Sequence, residues 1–130
     1  MLLKIVTPER VVVEAEVDAF YGKTLDGMIG IKPRHIPLVT PLDIGVMSYS
    51  INGQKYPLAV MGGMLSTDGK SVTVLSDAAE LTGEIDAIRA KQAKERAEAE
   101  LRKLDDKHTN AVAQKALTRA LTRLKLVSAK

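Results

Sequence analysis

The feature that most limits how this chain can fold is its last 47 residues, 84–130, which contain neither glycine nor proline. All nine glycines, all five prolines and all four aromatic residues precede residue 84. The segment is rich in Ala, Leu, Lys, Arg, Glu and Gln, which have high helix propensity, and it lacks the two residues that break helices most strongly. It therefore predicts a long helical region that follows a differently built N-terminal part.

Apolar residues of this segment recur at steps of three and four, in two series. The first series is Ile85, Ile88, Ala93, Ala97, Leu101 and Leu104, and the second is Ala113, Ala116, Leu117, Ala120, Leu121, Leu124 and Val127. Residues 105–110, between the two series, are mostly small and polar and favour a turn or a helix cap. The pattern predicts two amphipathic helices of ~18–22 residues, packed as an antiparallel hairpin. Because the seam would be mostly alanine, the pairing is worth on the order of a few kcal/mol, and one continuous rod is the alternative.

The N-terminal part, residues 2–76, consists of short β-type runs separated by turn residues. Asn52-Gly53 lies between two such runs and predicts a type I′ hairpin turn, because both central residues of that turn need positive φ. Asp68-Gly69 repeats the arrangement later in the chain. Short, regularly spaced strands predict a β sandwich. The expected fold is therefore α+β, with an antiparallel β sandwich in residues 1–83 and a two-helix hairpin in residues 84–130.

Charge is distributed unevenly along the chain. Residues 1–83 carry seven basic and nine acidic groups, residues 84–106 carry six and seven, and residues 107–130 carry six basic groups and no acidic one. A basic terminal helix predicts an acidic partner, which can be nucleic acid, an anionic lipid surface or an acidic protein surface.

Several classes of site receive no support from the sequence. Cysteine is absent, and the two histidines, His35 and His108, lie far apart, so we expect neither a disulfide nor a metal site. The N-terminal residues are charged and interrupted by Pro8, unlike a signal peptide, and no apolar run approaches the ~18–20 residues that span a bilayer. We therefore expect a soluble protein, or a peripheral one at most.

One segment, residues 63–71, approaches the phosphate-binding pattern Gly-x4-Gly-Lys-Ser/Thr. Met64 occupies the position where the first glycine is required, and β-branched Val72-Thr73-Val74 follows where a helix is needed. The segment is therefore better interpreted as a β-hairpin. Carboxylates are available in Asp18, Asp26 and Asp43, but no sequence pattern pairs them for catalysis. Nothing in the sequence indicates an enzyme.

The arginines of the helical segment suggest a binding site. Arg119 and Arg123 are spaced i, i+4, so both project from one face of the second helix. Arg89 of the first helix would join them across a folded hairpin. Converging guanidinium groups suit a polyphosphate, because each donates paired hydrogen bonds. The alternative is an ordinary solvated charged face, which the spacing by itself favours.

Three stretches of the chain resemble a known family. Residues 27–39, Gly-Met-Ile-Gly-Ile-Lys-Pro-Arg-His-Ile-Pro-Leu-Val, resemble the Gly-x-x-Gly-Ile-x-Pro-x-His-x-Pro-Leu signature of the epsilon subunit of F-type ATP synthases. Residues 61–64 and 72–75 look like the next block of that family. Residues 85–90 match the Ile/Leu-Asp-x-x-Arg-Ala motif of its bacterial members. Lys32 and Met64 depart from the apolar or aromatic residues more usual at their positions.

The resemblance implies a non-catalytic subunit of the central stalk, which couples the rotor ring to the catalytic head of the proton-translocating synthase. The sandwich would bind the gamma subunit and the c-subunit rotor ring. The helices would inhibit ATP hydrolysis when they extend to the beta and alpha subunits. The residues expected to bind these partners are Met28, Lys32, Arg34, His35 and Lys115.

The resemblance also implies that ATP is a regulatory ligand of the folded helices, with no cofactor required. Asp86 and Arg89 fall on the bacterial motif, and Arg119 and Arg123 fall on the arginines of the second helix. The expected location is peripheral, on the cytoplasmic face of a bacterial plasma membrane, with the thylakoid membrane as the alternative. A nucleic-acid binder using residues 107–130 and a stand-alone ATP-dependent enzyme are the competing classes, and we expect no nucleic-acid partner.

Overall fold

The structure, a computed structural model, describes residues 1–103 and 107–128. These residues form eight strands, one 3₁₀ turn and two helices: β1 Leu2–Val6, β2 Val11–Glu16, β3 Ala19–Thr24, β4 Gly27–Ile31, β5 Leu38–Ile51, β6 Gln54–Thr67, β7 Ser71–Leu75, β8 Ala79–Leu81, the 3₁₀ turn Thr82–Glu84, α1 Ala87–Lys103 and α2 Lys107–Ser128. The predicted β sandwich followed by two helices is confirmed. The expected division between residues 83 and 84 falls within the 3₁₀ turn.

The strands join in the order β2-β1-β7-β6-β5-β3-β4, and β8 adds to β6. Among the strand pairs of the described chain, β1 and β7 are parallel and the others are antiparallel. The sandwich is therefore antiparallel, as predicted, except at this pair. A parallel pair needs a long connection, and here strands β2 to β6 lie between the two partners in the sequence.

Two strands are much longer than the short runs that the sequence predicts. β5 and β6 have 14 residues each and keep one register from Leu38↔Thr67 to Ile51↔Gln54. One end of β6 pairs with β8 and the other with β7, so the long strands contribute to both layers. Pro41, Pro57 and Gly62-Gly63 lie within these strands, although such residues usually end strands or mark bulges. The long ladder tolerates them, with one gap in pairing at Asp43 and Gly62.

The two predicted hairpins are present, but their turns differ. Asn52 and Gly53 have φ of 51° and 82°, which confirms the type I′ turn. The second turn has three residues, 68–70, and only Gly69 among them has positive φ, so a two-residue turn was the wrong prediction there. Asp68 Oδ1 accepts the N–H groups of Lys70 and Ser71, both at 2.9 Å. The N–H of Lys70 and then that of Ser71 hold the pKa of Asp68 below its usual range.

The core lies between the two layers of the sandwich, and a smaller cluster lies outside it. Four consecutive residues of β6, 58–61, are buried because the sheet is covered on both faces here. Leu58 and Val60 pack in the sandwich core, while Ala59 and Met61 pack against Leu126 of α2. The helices are therefore folded against the sandwich.

The helices meet along an alanine seam, as predicted. Its buried members are Ala97, Ala113 and Ala120, which the pattern predicted, and Ala90, which it did not. Two predicted seam residues are instead exposed: Ile88, at 72%, lies in the first turn of α1, and Leu121, at 43%, lines a cleft against β5. Of the predicted break, residues 107–110 are already helical. Residues 105 and 106, like Leu104, lie outside the described residues.

Neither described helix combines the length and the apolar character that crossing a membrane requires.

Candidate functional site

A cleft of about 360 Å³ lies where the sandwich meets both helices. It is lined by Glu80, Glu84, Asp86, Arg89, Ala90, Ala93, Arg96 and Arg123. These residues come from β8, the 3₁₀ turn, α1 and its N-terminal flank, and α2. The cleft therefore exists only when all of these parts are together.

Asp86 fixes the start of α1. Its Oδ1 accepts the N–H of Ile88 at 3.0 Å and that of Arg89 at 3.2 Å, as an N-cap side chain does. The Ala90 N–H donates to the Asp86 carbonyl at 3.0 Å. The carboxylate therefore orients the first turn of the helix, including the backbone of Arg89.

Arg89 and Arg96 give α1 a cationic face toward the cleft. They are seven residues apart, which is two helical turns and about 10 Å along the axis. Ala93 lies between them, and its small side chain leaves room in the cleft. Arg96 was missed by the sequence analysis, although its seven-residue spacing from Arg89, with alanine in between, was a usable signal.

Arg123 ties α2 to the sandwich. Its Nη2 lies 2.6 Å and its Nε 2.8 Å from the same oxygen of Glu80, Oε1. The two side chains are 27% and 25% exposed, so this pair is less screened by water than a typical surface pair. Glu80 was also missed, because nothing in the sequence placed the short strand β8 beside α2.

Glu84 forms a second ion pair at the rim. Its Oε2 lies 2.6 Å from Arg10 Nη2, and its Oε1 accepts the Leu81 N–H at 2.8 Å. The Arg10 hydrogen bond, followed by the Leu81 N–H, lowers the pKa of Glu84, and the same carboxylate raises the pKa of Arg10. Arg89 and Arg96 are thus the cleft arginines for which the described contacts show no ion pair.

The structure brings together three of the four residues predicted to bind ATP: Asp86, Arg89 and Arg123. Arg119 is half-buried in α2 and is not among the residues lining the cleft. Its predicted role remains a prediction.

The residues predicted to bind partners lie apart from the cleft. Met28 is exposed on the edge strand β4, and Lys115 is exposed on α2. Arg34 has φ of 70° and donates its N–H to the Gly69 carbonyl at 2.9 Å, so the loop from residue 32 to 37 is attached to the β6–β7 turn. On that loop Lys32 is exposed and His35 is half-buried, with Nδ1 2.6 Å from the Ile36 carbonyl oxygen.

A second surface, missed by the sequence analysis, is an apolar row across the outer face of five strands. Its members are cross-strand neighbours in register: Val11, Val6, Leu75, Met64 and Pro41. Val11, Leu75 and Met64 are exposed, and a cleft of about 370 Å³ lies beside the row. A contiguous exposed apolar surface of this kind is typical of a protein interface.

Metal-binding groups do not cluster in the part of the chain that the structure describes, where no three or more His, Asp or Glu side chains are suitably placed.

Comparison with known proteins defines the class. Residues 1–82 match the β-sandwich domain of the ATP synthase delta/epsilon chain, and residues 84–128 match the long α-helix domain of the same chain. The fold and the comparison thus agree on a two-part subunit, a β sandwich followed by a helical domain.

Relatives with the same organisation are similar over nearly their whole length. The chain is 40% identical over 124 residues to the ATP synthase epsilon chain of Nitratidesulfovibrio vulgaris, covering 95% of this chain and 92% of the relative. It is 43% identical over 130 residues to that of Symbiobacterium thermophilum, with 99% and 94% coverage. It is 39% identical over 127 residues to the chloroplastic epsilon chain of Lactuca sativa, with 98% and 96% coverage.

The chain therefore belongs to the ATP synthase epsilon family, whose members are non-catalytic subunits of the F-type ATP synthase. Solved structures show the same fold at lower identity. A chain of the Euglena gracilis mitochondrial ATP synthase superposes with a TM-score of 0.81 at 22% identity, covering 99% of this chain and 79% of that one. One from the central stalk and c-ring of the Tetrahymena thermophila enzyme gives 0.71 at 13%, with 98% and 96% coverage.

Proposed function

We propose that this chain is a regulatory subunit whose helical arm, residues 84–130, restrains ATP hydrolysis when it leaves the sandwich, and that ATP bound in the cleft keeps the arm folded. The observation that carries the proposal is the composition of the cleft, because its lining comes from the sandwich, α1 and α2 together. A ligand of this cleft binds the folded arm and has no equivalent site on a released arm. Such differential affinity is what shifts a conformational equilibrium.

The chemistry of the cleft suits a nucleoside triphosphate. Arg89 and Arg96 present guanidinium groups that donate paired hydrogen bonds to phosphate oxygens. Ala90 and Ala93 add apolar surface to the lining, and carboxylate oxygens of the lining suit an amino-substituted base as hydrogen-bond acceptors. The volume, about 360 Å³, lies within the range of small-molecule sites.

Calorimetric titration of the full chain with ATP, at concentrations up to millimolar, tests the ligand. We expect Arg89→Gln and Arg96→Gln each to weaken binding about tenfold or more, because hydrogen bonds to charged groups are worth about 1.5–3 kcal/mol. Arg102→Gln is the matched control, since Arg102 is an exposed arginine of α1 that does not line the cleft. Equal affinity in all three variants would exclude the cleft as the ATP site.

The sandwich is proposed to bind the gamma subunit through the apolar row and the rotor ring through the end that carries Met28 and the loop from Lys32 to Pro37. Support comes from the exposed apolar surfaces at both places and from the two solved relatives, which belong to assemblies that contain the c-ring. The arm is proposed to contact the beta and alpha subunits through α2, where Lys115 is exposed in a helix without acidic residues. These contacts would place the protein on the cytoplasmic face of a bacterial plasma membrane, or on a thylakoid membrane.

Co-purification with the gamma subunit tests the sandwich interface. Met64→Asp places a charge in the centre of the apolar row, and we expect it to abolish recovery of the complex, because burying an unpaired carboxylate is strongly unfavourable. Gln54→Asp, at the exposed start of β6, should leave recovery unchanged. Full recovery with Met64→Asp would show that gamma binds elsewhere.

A further inference from the structure

The junction between the sandwich and the arm contains an ion pair whose cation comes from the N-terminal region of the chain. Arg10 follows the turn between β1 and β2, and its Nη2 lies 2.6 Å from Glu84 Oε2. The turn itself is closed by hydrogen bonds from the Thr7 N–H to the Arg10 carbonyl at 2.9 Å and from the Arg10 N–H to Thr7 Oγ1 at 3.3 Å. The cation is therefore attached to the first hairpin of the sandwich.

Glu84 transmits that attachment to the 3₁₀ turn. Its second oxygen accepts the Leu81 N–H at 2.8 Å, and the Ile85 N–H closes the turn on the Thr82 carbonyl at 3.3 Å. Both carboxylate oxygens are thus engaged by the sandwich, one by Arg10 of the first hairpin and one by Leu81, the last residue of β8. Mechanically, the turn belongs to the sandwich.

The part of the arm that moves begins after Ile85, the residue that follows the turn. Asp86 caps α1 and so moves with it, as its hydrogen bonds to Ile88 and Arg89 show. Ile85, with φ of −91° and ψ of 125°, is the single residue between the two anchored carboxylates. Its half-buried side chain packs against the cluster that contains Leu126 of α2, so release of α2 also removes a contact that holds Ile85.

We propose that the Arg10–Glu84 pair is a hinge clamp, which holds the 3₁₀ turn on the sandwich when the arm leaves, so that the arm pivots at Ile85. This inference rests on the proposed function, because it concerns an arm that leaves the sandwich. The clamp keeps Glu84, one wall of the cleft, in place for the returning helices. Arg10, which lies outside the cleft, is on this view a positioning residue for the arm.

Distances between spin labels on the full chain locate the pivot. The chain has no cysteine, so pairs of labels are introduced by Lys70→Cys on the β6–β7 turn combined with either Gly83→Cys or Lys91→Cys. Position 83 accepts a side chain, because a Cβ there has no neighbour within 4 Å. Arg123→Gln with Leu126→Ala releases α2. We expect release to broaden the distance distribution from 70 to 91 and to leave that from 70 to 83 unchanged.

Arg10→Gln in the released background should then broaden the 70-to-83 distribution at least twofold. The matched control is Lys4→Gln, which removes an exposed pair with Glu14 at 3.9 Å elsewhere on the sandwich. Broadening from 70 to 83 while Arg10 is intact, or no change with Arg10→Gln, would overturn the clamp.

Amide exchange separates the clamp from the moving arm. In the otherwise unchanged chain, Arg10→Gln should speed exchange of the Leu81 and Ile85 amides by up to about fivefold, the upper end for an exposed ion pair. An unchanged rate at Leu81 would refute the clamp whether or not the arm moves. If the release substitutions do not change the 70-to-91 distance distribution, the mobile arm of the proposed function is refuted instead.

Discussion

At the scale of single residues, Gly63 shows how tightly the backbone of the sandwich is packed. Its φ is 122°, in the region that favours glycine, and a Cβ there would overlap the Leu75 carbonyl oxygen and lie 2.9 Å from Ser76 Cα. The obstruction is backbone, which cannot move aside as a flexible side chain can. Gly63 therefore permits the close approach of β6 to the end of β7.

Gly63→Ala is accordingly predicted to lower the free energy of unfolding by about 2–4 kcal/mol, through overlap and an unfavourable φ. Urea unfolding measures the loss. Gly83→Ala is the matched control, since that site has open space and lacks positive φ, and we expect a change within about 0.5 kcal/mol. Equal stability of the two variants would mean that the β6–β7 contact relaxes without cost.

At the scale of elements, the alanine seam determines how strongly the two helices of the arm pack together. The buried Ala90 and Ala97 of α1 and Ala113 and Ala120 of α2 are small, so each helix buries little apolar area at these positions. The arm is also attached to the sandwich through Leu126 in the outer cluster, through the Arg123–Glu80 pair and where α2 borders β5. An arm held in this way is suited to release by a modest change in free energy.

Enlarging the seam should loosen the arm without unfolding the sandwich. Ala120→Leu overpacks the helix contact at a cost of about 1–3 kcal/mol, so amide exchange in residues 111–128 should speed up while exchange at Leu58 and Val72 stays slow. Ala111→Leu, at an exposed position of the same helix, is expected to change neither. Faster exchange in the sandwich core would show that arm and sandwich unfold as one unit.

Local patterns predicted the elements that local chemistry determines. The absence of glycine and proline predicted the helices, and Asn52-Gly53 predicted its turn, because in both cases the deciding forces act within a few residues. The length of β5 and β6 was not predictable, since the pairing of each strand with its neighbours offsets the cost of Pro41 and Gly62. The parallel pairing of β1 with β7 likewise depends on the whole topology.

The residues of the candidate site likewise divide into those that the sequence predicted and those that it did not. The spacing predicted Arg89 and Arg123 but also Arg119, which does not line the cleft, and it missed Arg96, while the bacterial motif added Asp86. Glu80, Glu84 and Arg10 were not, because they reach the junction from segments that only the folded sandwich brings together. The apolar row escaped notice for a similar reason, since its members are single residues on five strands and become contiguous only in register.

At the scale of the whole molecule, binding and conformation are linked through the cleft. The lining of the cleft includes the sandwich, α1 and α2. If the released arm has no affinity for ATP, binding at this one site stabilises the docked arm by RT ln(1 + [ATP]/Kd). At a hundred times Kd this amounts to about 2.7 kcal/mol. The fraction of chains with a docked arm should therefore rise with ATP concentration.

The most direct test is amide exchange of α2, residues 111–128, in the full chain at increasing ATP. We expect exchange to slow with half-effect near the calorimetric Kd, while the amides of Leu58 and Val72 in the sandwich core keep their rates. Loss of this protection in Arg89→Gln and its persistence in Arg102→Gln would assign it to the cleft. If saturating ATP leaves exchange of α2 unchanged, ATP does not hold the arm on the sandwich.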